Sequence, residues 1–141
     1  APENTIQYNQ SKKISSLKTG KYNNQYIKKI PIPVTMTMIN KGEESYNINC
    51  STCHTKTGNG TKSLIAKRGW IPSNLLLETT MKRSDGELFN IIGYGIRSMP
   101  GYAKKIDIDT RWAIVAYVRS LQQVKTTKYY QLNPKDKKEV K

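Results

Sequence analysis

The sequence predicts an all-α fold of three to five helices, and three local patterns support this prediction. Apolar residues recur at helical spacing just before residue 50. A capping box starts a second helix at Ser84, and Asp107 or Asp109 can cap a third. Segments rich in Gly and Pro lie between these helices, as expected of loops.

The 141-residue chain is expected to form one domain with a polar extension at each end. Residues 1–33 are predicted to be a Lys-rich arm, partly draped over the domain, because no apolar period is sustained there. The domain occupies residues 34–123. Residues 124–141 are predicted to be a flexible Lys-rich tail in which Pro134 excludes a helix.

The first predicted helix, from Thr35 to Asn49, leads directly into the run Cys50, Ser51, Thr52, Cys53, His54. C-x-x-C-H is the attachment signature of a c-type haem. Two thiols three positions apart can face the same way from one helical turn and bind both vinyl groups of one porphyrin. His54 then becomes an axial ligand of the iron. We therefore predict one covalently attached haem c.

Other uses of paired cysteines find less support in this chain. A zinc site needs four ligands, whereas the sequence has two cysteines and one histidine. A thioredoxin-like pair needs a βαβ unit, but helix and loop are predicted around Cys50. A disulfide between Cys50 and Cys53 remains open, although so short a loop would stabilise little. A haem would also enlarge the core of a small chain with 36% hydrophobic residues.

The remaining elements follow in order. Residues 55–62 are a turn-rich loop, and residues 69–72 continue the irregular structure. Residues 75–81 form a short apolar helix or an extended segment. The helix from Ser84 ends near Gly93 or Gly95, and the last helix ends near Gln123.

The second axial ligand must be a methionine or be absent, because His54 is the only histidine. Met36 and Met38 lie in or just before the helix that carries the cysteines, on the His54 side of the haem, so neither can easily reach the opposite face. Met81 is most simply core filler. Met99 lies on a loop between two helices, and the following proline favours an extended backbone there. We predict Met99 as the ligand, with an open iron beside a core Met99 as the alternative.

His/Met ligation predicts an electron carrier and not an enzyme. The thioether favours ferrous iron and occupies the position at which oxygen or peroxide would bind.

These residues resemble class I cytochrome c, on the basis of Gly42, Tyr46, the C-x-x-C-H run, Met99, Trp112 and Tyr117. The resemblance implies that Gly42 lets the first and last helices cross closely. It also implies that Gly42 and Tyr46 pack against Ala113, Ala116 and Tyr117. It implies further that the carbonyl of Pro72 accepts the N–H of the axial histidine.

Residues 31–123 are similar, more narrowly, to the monohaem cytochrome subunit of alternative complex III. The matching residues are Ile32 to Thr35, Gly42, Tyr46 to Ile48, Thr57 to Gly60, Arg68, Gly69, Met99, Pro100, Tyr102 and Arg111 to Arg119. That family couples quinol oxidation to periplasmic electron carriers. The resemblance implies an electron-transfer subunit in a membrane assembly as an alternative to a free carrier.

Several further residues are candidates for the haem pocket. Trp70, Trp112, Arg68 and Arg97 are candidates to pair with the haem propionates. The alternative is that the tryptophans belong to the core and the arginines to the surface. Tyr46, Pro72 and Tyr102 complete the predicted pocket.

The formal net charge of +14 comes from 24 Lys and Arg against 10 Asp and Glu. It predicts redox partners with acidic docking surfaces. Nucleic acid is a poor partner because the lysines are not interleaved with aromatic residues on one predicted face. A monomer is expected. Acid unfolding follows the protonation of paired carboxylates, and this chain has few carboxylates to protonate. We therefore expect it to work in an acidic periplasm, as in an acidophilic iron-oxidising respiratory chain.

Export is expected because haem is attached to C-x-x-C-H outside the bacterial cytoplasm. No stretch approaches the roughly 20 apolar residues of a membrane span. The sequence starts at Ala1 without a leader, so we expect a signal peptide to have been removed. The leading function is a periplasmic one-electron carrier. The alternatives are the quinol-oxidising subunit and an enzyme or gas sensor with an open haem iron.

Overall fold

The computed structural model describes residues 8–131, with the side chains of residues 9–127, and confirms the predicted all-α fold. The helices are α1 (Tyr8–Thr19), α2 (Met36–Asn49), α3 (Ser51–His54), α4 (Leu64–Lys67), α5 (Glu78–Met81), α6 (Asp85–Tyr94) and α7 (Ile108–Gln131). A 3-10 helix spans Gly60–Lys62, and the strands β1 (Lys21–Tyr22) and β2 (Gln25–Tyr26) form a small antiparallel hairpin. The described residues thus contain seven α-helices, where three to five were predicted, and α3, α4 and α5 are single turns.

The predicted helix starts are confirmed by their capping contacts. The side chains of Thr35, Ser84 and Asp107 each accept a hydrogen bond from the backbone N–H three positions later, at 3.2, 3.2 and 2.7 Å. These bonds satisfy N–H groups that the first turn of a helix leaves unpaired. The carboxylate of Glu87 pairs with Arg83, so it does not return to the cap as a complete capping box would require.

The close crossing of α2 and α7 brings two backbones together. A methyl group added to Gly42 would overlap the carbonyl group of Ala113, so only glycine permits this approach. One turn later, the rings of Tyr46 and Tyr117 meet edge to face, with centroids 5.2 Å apart. This is the arrangement implied by the resemblance to class I cytochrome c. The crossing fixes the direction of α2, and therefore the position of the cysteines at its end.

The contact between α6 and α7 combines stacked rings with a buried ion pair. Phe89 stacks on Trp112 with centroids 4.1 Å apart. Nε of Arg119 donates to Oδ1 of buried Asp85 at 2.7 Å, and its Nη1 donates to the carbonyl of Met81 at 3.1 Å. This arginine therefore joins α7 to both α5 and α6.

The N-terminal segment is more ordered than the sequence predicts, because α1 and the hairpin pack on α6 and α7. Nε1 of Trp112 donates to the carbonyl of Leu17 at 2.8 Å, and the N–H of Gly86 donates to the carbonyl of Ile27 at 3.0 Å. Gly20 and Gly86 are in close backbone contact. Leu17, Ile27 and Ile30 also pack against the core, but they follow no regular apolar period, so the sequence pattern does not reveal this packing.

The last helix extends to Gln131, eight residues beyond the predicted end at Gln123. The sequence beyond Gln123 is polar, but lysine and glutamine favour helices and polarity alone does not end one. Residues 1–7 of the predicted arm and 132–141 of the predicted tail, with Pro134, lie outside the described residues.

The crossing predicts that Gly42→Ala is strongly destabilising. The added methyl group must push α2 away from α7, and overpacking of this kind costs about 1–3 kcal/mol or more. Denaturant unfolding of the haem-loaded protein measures the change in free energy. Asn40→Ala, at an exposed position of the same helix, is the control and should unfold like the wild type. Equal midpoints for Gly42→Ala and the wild type would contradict the close crossing.

Candidate haem cleft

A cleft of about 580 Å³ opens beside α3. This volume lies within the range of small-molecule sites, about 300–1,000 Å³. The cleft lies between the end of α2, the irregular segment before α5, one face of α6 and the loop before α7. A smaller apolar cavity of about 60 Å³ shares several lining residues with the cleft, and its walls are Tyr46, Cys50, His54, Leu75, Leu88, Ile91, Ile92, Met99, Ile114, Val115 and Val118.

The junction of α2 and α3 brings the two thiols and the imidazole to one side of the cleft. The N–H of Cys50 closes α2 on the carbonyl of Tyr46 at 2.8 Å. The carbonyl of Cys50 then accepts the N–H of His54 at 2.9 Å and so starts the short turn of α3. Cys50, Cys53 and His54 all line the cleft. Burial, together with nearby Cys53, raises the pKa of the Cys50 thiol to about 12.

The ring of His54 is held by a backbone carbonyl. Its Nδ1 lies 3.0 Å from the carbonyl oxygen of Ser73, and the residue is only 8% exposed. Because a carbonyl can only accept, Nδ1 carries the proton and Nε2 keeps its lone pair for a metal. Burial lowers the pKa of His54, and the bond to Ser73 opposes this effect. The imidazole is therefore set up as a neutral ligand.

The resemblance implied that the carbonyl of Pro72 accepts this hydrogen bond, but in the structure the acceptor is the carbonyl of Ser73. Pro72 lines the cleft, but its carbonyl faces Gly60, where an added Cβ would lie 2.9 Å from the oxygen. The N–H of Leu75 donates to the carbonyl of Gly58 at 2.9 Å and holds the next part of the segment. A carbonyl has no sequence signature, so only the folded backbone shows which of two neighbours meets the imidazole.

Met99 pairs with Ile96 across a two-residue turn formed by Arg97 and Ser98. The N–H of Ile96 donates to the carbonyl of Met99 at 3.1 Å, and the reverse bond measures 2.9 Å. Arg97 takes a positive φ of 50°, which this tight turn requires. All four methionines lie among the described residues, and only Met99 lines the cleft and the apolar cavity. The turn thus brings a thioether to the same cavities as the imidazole.

Trp70 links the two irregular segments that border the cleft. The residue is 51% exposed, and its Nε1 donates to Oγ of Ser98 at 3.0 Å. Both residues line the cleft. Trp70 was a candidate to pair with a haem propionate, but its indole N–H donates to Ser98, next to Met99. No sequence pattern identified Ser98 as its partner.

The other predicted pocket residues divide into two groups. Arg97 and Tyr102 line the cleft, and Tyr46 lines the apolar cavity, where its hydroxyl donates to the carbonyl of Thr55 at 2.8 Å. Arg68 and Trp112 line neither cavity, which differs from the prediction. Arg68 is an exposed residue at the end of α4. Trp112 is fully buried between Phe89 and α1, because the N-terminal segment covers that side of the domain.

These side chains fit haem c as a donor set. Two thiols and an imidazole come from adjacent turns, the imidazole tautomer leaves Nε2 for iron, and a thioether reaches the same apolar cavity. The residues described, 8–131, hold no cluster of three or more His, Cys, Asp or Glu that would offer a competing metal site. The fold and the cleft thus define a c-type cytochrome domain.

The chain belongs to the family described as cytochrome c oxidase, cbb3-type, subunit III, whose model matches residues 37–118. Membership assigns haem c as the cofactor and haem-based electron transfer as the general activity. A search of curated proteins found no match. Within residues 8–131, no helix combines the length and the apolar character that a membrane span requires.

A solved structure with a related fold is a chain of the reducing HAO-like protein complex of Kuenenia stuttgartiensis. It is 20% identical in sequence, with a TM-score of 0.54. The similarity covers 76% of the present chain and 54% of that chain, so the present chain spans about half of its length. At this identity the similarity shows the fold.

The hydrogen bond between Trp70 and Ser98 predicts that removing either side chain loosens the turn at Met99 to the same extent. Trp70→Phe and Ser98→Ala should each make amide exchange in residues 96–102 about two- to tenfold faster, as expected for the loss of one hydrogen bond. Hydrogen exchange followed by mass spectrometry measures this rate. The double variant should match the single variants, and Ser98→Thr, which keeps the hydroxyl, should match the wild type. Wild-type exchange in both single variants would contradict the link.

Proposed function

We propose that the protein is a one-electron carrier with a single haem c. Cys50 and Cys53 bind it through thioethers, and His54 and Met99 are its axial ligands. The observation that carries this proposal is that all four side chains line one cleft, while the carbonyl of Ser73 holds the imidazole in the tautomer that can bind iron.

Haem c supplies an iron that changes between ferric and ferrous states. The residues of the chain decide how that change is used. The carbonyl of Ser73 orients His54, and the turn of Ile96 and Met99 presents a soft thioether that favours the ferrous state. With Met99 on the iron, no position remains for oxygen or peroxide, so the site transfers electrons without bond chemistry.

The cellular setting is proposed from charge and cofactor chemistry. Attachment of haem to C-x-x-C-H takes place outside the bacterial cytoplasm, which supports a periplasmic carrier in a respiratory chain. The net charge of +14 supports encounters with redox proteins that present acidic docking surfaces. A monomer is the simplest state for such a carrier.

A subunit of a membrane quinol-oxidising complex is the second candidate. The observation in its favour is the resemblance of residues 31–123 to the monohaem subunit of alternative complex III. Co-purification of the untagged chain with integral-membrane subunits would favour this role, whereas recovery as a free monomer would favour the carrier.

The ligand assignment predicts that Met99→Ala removes the long-wavelength methionine-to-iron band of the oxidised protein. The same variant should bind carbon monoxide in the ferrous state, because the sixth position becomes open. Visible spectroscopy of both oxidation states measures these changes. Met81→Ala is the matched control and should keep the band, because Met81 lines neither cavity.

Two results would contradict the ligand assignment. If the band persists in Met99→Ala, the ligand is a different residue. If the wild-type ferrous spectrum already changes with carbon monoxide, the iron is open, and the enzyme or gas sensor replaces the carrier.

An acidic working environment, as in an iron-oxidising chain, is the last part of the proposal. Its support is the low number of carboxylates, 10 Asp and Glu in 141 residues. With few paired carboxylates to protonate, the haem-loaded protein should keep its native spectrum down to about pH 4. Reversible loss of the haem spectrum at or above that pH would contradict an acidic setting.

A further inference from the structure

The N-terminal unit, defined here as residues 8–33, is firmly docked on α6. Besides the bonds of Trp112 and Gly86, the N–H of Ile30 donates to Oδ2 of Asp85 at 3.0 Å. The hydroxyl of Tyr26 donates to Oδ1 of Asn90 at 3.3 Å. The unit therefore presents its surface from a fixed position on the domain.

The unit and the cleft lie on different faces of α6. Gly86 and Asn90 of this helix contact the N-terminal unit, whereas Leu88 and Ile91 line the cleft. None of residues 8–33 lines either cavity. A partner bound to the N-terminal unit would thus leave the cleft accessible.

The charge of the unit is of one sign. Residues 8–33 contain no Asp or Glu, and their lysines are Lys12, Lys13, Lys18, Lys21, Lys28 and Lys29. All of these except the half-buried Lys21 are exposed. Nζ of Lys12 lies 5.3 Å from the ring centroid of Tyr22, and Nζ of Lys21 lies 4.6 Å from that of Tyr26. Cation–π contacts of this kind hold two of the six charges in place.

A structural role explains the docking but not the lysines. The bonds between the unit and α6 or α7 use backbone groups, the Trp112 indole and the side chains of Tyr26, Asn90 and Asp85. The lysine side chains take no part in these bonds. The unit would dock equally well with neutral residues at those positions, so the positive charge needs another explanation.

We propose that the N-terminal unit binds the surface of an anionic lipid bilayer and holds the domain there with its cleft free. Clusters of four to eight basic residues are typical of binding to anionic headgroups. All six charges are lysines, which are compact, strongly hydrated point charges and are depleted in the cores of protein interfaces. The exposed side chain of Ile14, on the helix that carries Lys12, Lys13 and Lys18, adds apolar contact among the charges. This composition fits a lipid surface better than an acidic protein.

Vesicle co-sedimentation of the full haem-loaded chain tests the proposal, with phosphatidylcholine vesicles that contain or lack phosphatidylglycerol. The test variant carries Lys13→Gln, Lys18→Gln, Lys28→Gln and Lys29→Gln. The matched control carries Lys56→Gln, Lys62→Gln, Lys67→Gln and Lys104→Gln, four exposed lysines outside the unit. Both variants lose the same net charge, so only the position of the lysines differs. Circular dichroism and thermal melting check that both fold.

The wild type should bind the anionic vesicles and not the neutral ones. Each lysine near the surface strengthens binding about fivefold, so the test variant should bind on the order of several hundredfold more weakly. The control should lose less than about tenfold, since its lysines lie outside the N-terminal unit and salt screens charges that do not contact the bilayer. The assay reads lipid binding alone, so its result is independent of which residue ligates the iron.

Four results would overturn the proposal. Equal losses in both variants would show that only net charge matters. Wild-type binding by the test variant, or no binding by the wild type, would exclude the unit as a lipid-binding surface. If the test variant instead loses binding only to a polyglutamate peptide, the unit recognises an acidic protein.

Discussion

The crossing of α2 and α7 at Gly42 is the constraint on which the cleft depends. Because Gly42 has no side chain, α2 can lie against the carbonyl of Ala113, and Tyr46 then meets Tyr117 one turn later. Tyr46 in turn accepts the N–H of Cys50 through its carbonyl, which ends α2. The thiols therefore take their position from a backbone contact two turns earlier. A larger residue at 42 would move the attachment site as well as the helix.

The opposite side of the cleft is held by hydrogen bonds and not by helix packing. Ser73 and Met99 both belong to irregular segments. The carbonyl of Ser73 accepts from the ring of His54, and Met99 is held by two backbone bonds to Ile96, beside the bond from Trp70 to Ser98. Such segments have few apolar contacts of their own, so each bond carries a larger share of the local stability. His54 and Met99 thus differ in their settings, because His54 is buried on a helical turn and Met99 is carried by a turn at the cleft edge.

The features that the sequence predicted are those with a local cause. The helix starts at Thr35, Ser84 and Asp107 follow from capping side chains. The C-x-x-C-H run contains three of the residues that line the cleft, Cys50, Cys53 and His54. The acceptor of His54 was placed one residue too early, because nothing in the side chains of an irregular segment reports which carbonyl turns inward. The N-terminal arm was predicted to be partly draped over the domain, but its helix and hairpin were not predicted, because Leu17, Ile27 and Ile30, which pack on the core, follow no regular apolar period.

Asp85 connects the back of the molecule to the cleft. Its two carboxylate oxygens bind different partners, Arg119 of α7 and the N–H of Ile30 in the N-terminal unit. Arg119 also holds the carbonyl of Met81, which lies between Thr80 and Arg83 of the cleft wall. A buried carboxylate with all its partners satisfied is rigid, since losing any one partner leaves a charge or a polar group unpaired. Asp85 therefore adds a direct link between the N-terminal unit and the cleft to the docking bonds made by Trp112, Gly86 and Asn90. A surface bound to residues 8–33 would set the orientation of the whole cleft.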